Sequence, residues 1–169
     1  MIPWMLAHVV CHEFEKVVGK NQYDTRKAMH IGFGVRTGSN TDQYGIRHLY
    51  IYAPANYVHV ATQFERIDEE GKRHIGPMEH LCYHDSCWRD AVQNFIFKYR
   101  DDVNVFNSFD HIFDWYDVLT LTEAETNYLS SLDQSRHTSN FGSEREKAAL
   151  AEKMKVNPFD KRSIWKDLV

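Results

Sequence analysis

Apolar residues first recur at helical spacing. Leu6, Val10, Phe14 and Val17 fall close to one stripe of residues 3–18, with Val9 and Val18 beside it, which predicts an amphipathic helix. Pro3 suits its first turn and Gly19 its stop. After a polar loop over 20–27 the period changes to two. Segments 29–35, 46–53, 57–66 and 72–83 are rich in β-branched and aromatic residues and predict strands. Thr37-Gly38-Ser39-Asn40 reads as a turn-rich loop, Pro54-Ala55-Asn56 as a short link, and Asp68-Glu69-Glu70-Gly71 as a hairpin tip. Short links favour antiparallel neighbours, so these segments predict one antiparallel sheet of about four strands.

Helical spacing returns over 86–100, where Trp88, Val92, Phe95 and Tyr99 make an apolar stripe. Ser108 can cap a further helix with Phe109, Ile112, Phe113 and Tyr116 facing inward. Thr122 with Glu125 is a capping box for a helix over 123–132. Residues 133–142 (DQSRHTSNFG) read as a polar loop. Ser143 with Glu146 reads as a second capping box, opening a helix to about Lys155; Val156-Asn157-Pro158 stops it, and a last short helix is expected over 161–169. The fold class is α+β: an antiparallel sheet preceded by one helix and followed by a helical C-terminal half. A single domain over 1–169 is expected, with a helix-sheet-helix core over 1–100 and a helical region over 101–169.

Composition changes this picture little. Hydrophobic residues make up 43% and charged residues 26%, ordinary for a globular chain, whereas 14% aromatic residues is high and suits cores and interfaces alike. The three cysteines are an odd number with no framework pattern, which argues against a disulfide scaffold and for a reducing interior. The N-terminus has no basic leader and meets a charge at Glu13, so neither a signal peptide nor a membrane span is expected. The location expected is intracellular: cytoplasmic, or assembled in a particle.

Candidate chemistry concentrates in RHIGPMEHLCYHDSCWRDAVQNFIFKYR, residues 73–100. His80, Cys82 and His84 alternate and so share one face of a strand. Asp85 or Ser86 then caps a helix with Cys87 in its first turn. Thiolates and imidazoles are the usual zinc ligands, and these four side chains could close a tetrahedral site. No other cofactor is called for. The spacing differs from paired Cys-x-x-Cys knuckles, and the plain counterpart is a buried Cys82 with ordinary polar-face histidines.

A second reading takes Cys87 as a nucleophile, its thiolate stabilised by the helix N-terminus, with a strand histidine as base. His30 in HIGFGV, His48 in IRHLYIYAP and Cys87 in HDSCWRDAV make about 60 residues resemble the circularly permuted papain-like hydrolases and acyltransferases. In that family a strand histidine precedes a cysteine that opens a helix. The resemblance implies thiol hydrolase or acyltransferase chemistry on Cys87 and His30, with His48 as the third matching position. The loop after His30 departs from the family's tight glycine turn, and Ser86 stands where asparagine is usual. The plain counterpart is a cysteine that packs under its helix.

AHVVCHEFEK comes close to the His-Glu-x-x-His helix of zinc proteases, but Lys16 stands where the second ligand belongs. His8 and His12 keep one-turn spacing, with Cys11 and Glu15 extending that face. The segment reads as a polar helix face.

Charge is distributed unevenly. Residues 101–133 hold Asp101, Asp102, Asp110, Asp114, Asp117, Glu123, Glu125 and Asp133 and no Lys or Arg, a net −8, whereas the first 100 residues carry 12 basic and 11 acidic side chains. Asp110, Asp114 and Asp117 are spaced to share one helix face, with Trp115 beside Asp114. An aromatic flanked by carboxylates suits docking to a partner with a basic surface; the plain counterpart is a solvated face over an aromatic core. Nucleic-acid binding is not expected, because there is no basic stripe in the strand region and the C-terminal basic residues are diluted by acidic ones. No phosphate-binding glycine loop is present. The function expected is non-enzymatic: protein–protein contact, as a subunit of a larger assembly such as a virus particle, or as an inhibitor of a host protein. The rivals are the thiol enzyme and a zinc-stabilised binding module.

Overall fold

The structure, a computed structural model, describes residues 3–19, 22–36, 44–55, 57–82, 87–98 and 116–161. Helix α1 (Pro3–Val18) is followed by strands β1 (Lys27–Arg36), β2 (Tyr44–Tyr52), β3 (His59–Ile67), β4 (Arg73–Ile75) and β5 (Glu79–Cys82). Helix α2 (Trp88–Lys98), strand β6 (Tyr116–Thr120), helices α3 (Glu123–Phe141) and α4 (Glu144–Lys153), and a 3-10 turn (Pro158–Lys161) complete it. The architecture is α+β, as the alternation of periods predicts.

All strand pairings are antiparallel, and the sheet runs β4-β3-β2-β1-β6, with β5 also on β3. The expected fourth strand is two strands. β4 ends at Ile75, the Gly76 N–H donates to the Phe64 carbonyl at 2.8 Å, and Pro77 has no N–H with which to continue the ladder. β5 then pairs with the other half of β3. The Asp68–Gly71 hairpin tip forms as read, with Gly71 at φ +82°.

Period-two alternation sends side chains to opposite faces of the sheet, and each face is covered. On one face Met29, Ile31, Phe33, Leu49, Ile51 and Val60 pack under α1 and α2. Phe14 meets Trp88 edge-on with ring centroids 5.3 Å apart. On the other face Ala28, Tyr50, Tyr52 and Ala61 pack under Tyr128, Leu129 and Leu132 of α3 and Phe159 of the 3-10 turn.

Two further departures from the sequence reading matter. Tyr116 and Asp117 lie in β6, beside β1, and not at the end of a helix begun at Ser108. The other residues of that expected helix lie outside the described residues. Helix α3 also runs on through the polar stretch read as a loop and stops only at Gly142, whose N–H donates to the Thr138 carbonyl at 2.7 Å. A Cβ on Gly142 would lie 2.6 Å from that same oxygen. The Thr122–Glu125 capping box is complete as predicted, whereas Ser143 is an N-cap whose hydroxyl accepts from the Glu146 N–H while the Glu146 carboxylate accepts from that same hydroxyl at 3.2 Å.

Candidate functional site

A diagonal of polar side chains, buried except at its Arg73 end, crosses the α3-covered face of the sheet. His30 is opposite Tyr50, and the residue two positions back on β2 is His48. His48 is opposite Gln63, and two positions on along β3 is Glu65. Glu65 is opposite Ile75, and two positions back on β4 is Arg73. Right-handed twist brings such diagonal neighbours within reach of long side chains. His30 Nε2 and His48 Nδ1 are 2.8 Å apart. His48 Nε2 faces Glu65 Oε1 at 3.7 Å. Glu65 Oε2 accepts from Arg73 Nε at 2.7 Å and lies 2.6 Å from Nη2. His30 is 5% exposed, His48 2% and Glu65 0%. A buried carboxylate is retained only when paired, and the guanidinium fork supplies that pair.

The diagonal also ties down the C-terminal segment. Gln63 Nε2 donates to Asp160 Oδ1 at 2.8 Å and lies 3.2 Å from the Gly76 carbonyl. Arg73 Nη1 donates to the Asp160 carbonyl. Phe159 beside Asp160 is fully buried, with its ring 5.0 Å from Tyr50. Tyr50 in turn stacks on His30 at 4.8 Å. One hydrogen-bonded and stacked unit thus joins β1, β2, β3, β4 and the 3-10 turn. Sequence reading missed Gln63, Glu65, Arg73 and Asp160. Gln63 and Glu65 flank Phe64 as the solvent side of a strand would, and no local signal says that a segment far along the chain covers them.

His30 and His48, two positions of the thiol-enzyme reading, are brought together. Cys87 is not brought to them. It packs against the cluster under α1 and α2, on the other side of the sheet, and it is disulfide-bonded. A disulfide sulfur is neither a nucleophile nor a metal ligand until it is reduced. Of the zinc set, His80 lies on the α3 side, its ring 4.6 Å from His59 and 6.4 Å from Tyr52. Cys82 lies in β5, in register with Val60. His84 is outside the described residues. Among the described residues no group of three or more His, Cys, Asp or Glu could hold a metal ion.

Of the docking set, Asp110, Asp114 and Trp115 lie outside the described residues, while Asp117 sits in β6 in register with His30. Strand β6 ends the sheet path, and among the described residues β1 is its one strand neighbour. Val118 on it is 47% exposed. The outer strand of the sheet therefore lies within the acidic stretch 101–133, one strand from the end of the buried diagonal. Within that stretch Glu125 is buried, its carboxylate accepting from the Thr122 N–H in the capping box of α3.

A cleft between α1 and α2 is lined by His8, His12, Cys11 and Glu15 from one helix and Arg89, Asp90 and Gln93 from the other. Arg89 pairs with Glu15 across it. Burial pushes the Cys11 thiol up to about 11, with Arg89 opposing. No helix among the described residues is long and apolar enough to cross a membrane. Comparison with protein-family models, with curated proteins and with solved structures returns no match.

Proposed function

We propose that this protein acts by binding another protein, through the edge strand β6 and the acidic stretch that contains it. The observation that supports this reading is positional. The strand at the end of the sheet lies within 33 residues that carry eight carboxylates and no Lys or Arg. An edge strand presents backbone donors and acceptors to an added strand, and local negative charge selects a basic segment and speeds its approach. The partner class is therefore a basic, extended protein segment, and the role is that of a subunit or inhibitor in a larger complex. The buried diagonal serves as the rigid support of this edge.

Titrating a labelled basic peptide of alternating Lys and Val into the full chain tests the reading. Binding should weaken as salt rises, fall in the Asp110→Asn/Asp114→Asn/Asp117→Asn variant, and protect amides of β6 from exchange. Equal binding by that variant, or protection elsewhere than β6, sinks it. The thiol-enzyme and zinc-module readings both need Cys87 reduced, which distinguishes them from this one.

A further inference from the structure

We propose that His8 and His12 form a two-imidazole site for a divalent transition metal in the cleft between α1 and α2. Residues four apart on a helix have Cβ atoms about 5–6 Å apart on one face, a spacing at which two imidazoles can reach one ion. Both histidines lie within α1, away from its fraying ends. Both are exposed, so neither ring is held by packing, and both line the same cleft.

The surroundings decide the donor set. Cys11, between the two histidines in sequence, is buried, so the exposed donors on this face of α1 are the two imidazoles. Glu15 is engaged by Arg89, which also keeps that cation from opposing a metal with a free charge. Asp90, exposed on the far wall, adds negative potential. The packing of Phe14 on Trp88 holds the two walls together. With no third protein ligand in reach among the described residues, water completes the coordination sphere. Imidazole suits Cu²⁺, Ni²⁺ and Zn²⁺, whereas Ca²⁺ and Mg²⁺ demand oxygen ligands. The site is therefore an open, exchangeable one for a borderline metal.

The test uses the full chain, without reductant, and Cu²⁺ alone as probe, read by calorimetry and by electron paramagnetic resonance. One equivalent should bind, with hyperfine coupling to two nitrogens. His8→Gln and His12→Gln should each leave one nitrogen and weaken binding by about tenfold or more. Both positions are exposed, and circular dichroism checks that each variant folds. Zn²⁺ should raise the melting temperature of the parent and not of the double variant. Unchanged affinity and two-nitrogen coupling in both single variants would overturn the proposal and move the metal to other histidines. Absence of stoichiometric Cu²⁺ binding overturns it outright.

Discussion

His30 Nε2 and His48 Nδ1 share one hydrogen bond, 2.8 Å long, inside the sheet's α3-covered face. One ring must donate and the other accept, so each histidine sets the tautomer of its neighbour. The bond joins adjacent strands through side chains in addition to the ladder, and it holds only in the observed register. A slip of either strand by one residue would put the two rings on opposite faces of the sheet. We expect His48→Leu to cost about 1–3 kcal/mol, because it strips a buried ring nitrogen of its partner. Urea unfolding measures this, and a loss below a few tenths of a kcal/mol would show that the bond is not maintained in solution.

Arg73 should matter more than its partial exposure suggests. It holds a fully buried carboxylate, Glu65, through two nitrogens. Arg73→Met leaves that charge without its cation, and a cost of about 3–5 kcal/mol is expected. Arg73→Lys should fall between, since an ammonium keeps the charge and loses the fork. The ranking wild type, Lys, Met in unfolding midpoint is the check; equal midpoints for wild type and Arg73→Lys would mean that the fork geometry is irrelevant here.

Phe159 anchors the chain beyond α4. It is fully buried against Tyr50 and near Tyr128. Phe159→Ala should cost about 3–5 kcal/mol and expose residues 158–161 to proteolysis before the sheet opens. Simultaneous loss of sheet and turn would make them one cooperative unit.

Cys11 should be chemically quiet. Its thiol is buried and pushed up to about 11, so little thiolate exists near neutral pH. Iodoacetamide at pH 8 should modify it only in denaturant. Fast labelling of the native chain would require Cys11 to be exposed.

Acid should loosen the β3–β4 hairpin. The Asp68 carboxyl is held below its ordinary range, first by the hydrogen bond from His74 and then by the Lys72 N–H; these are 2.7 Å and 2.8 Å long. A carboxyl lowered on folding contributes stability above its unfolded value, about 3.9, and loses it as pH falls through the folded value. Amide protection at Glu70 and Lys72 should therefore hold near neutral pH and fade only below about pH 4. In Asp68→Asn that acid step should vanish; its persistence would assign it to another group.

Much of the architecture was readable locally. Helix α1, the three long strands, α2 and the Thr122 and Ser143 caps each depend on periodicity or on hydrogen bonds spanning a few residues. Even the near miss around His8 and His12 was visible as a one-turn spacing. The cleft that gives this spacing a wall was not visible, because α2 supplies it from about eighty positions away.

What the sequence by itself determined is the class of element at most positions and the uneven distribution of charge. The tertiary structure alone decided which polar faces would be covered. His30, His48, Gln63 and Glu65 have the alternation of a solvent-facing strand surface, and they are buried because α3 and Phe159 lie over them. Residues 116–120 became a strand because β1 had an open side, and Gln63 found its partner 97 residues later in Asp160. Periodicity is a property of a segment, whereas burial depends on which other segment arrives. A strand's hydrogen bonds likewise need a neighbour that its own residues do not specify.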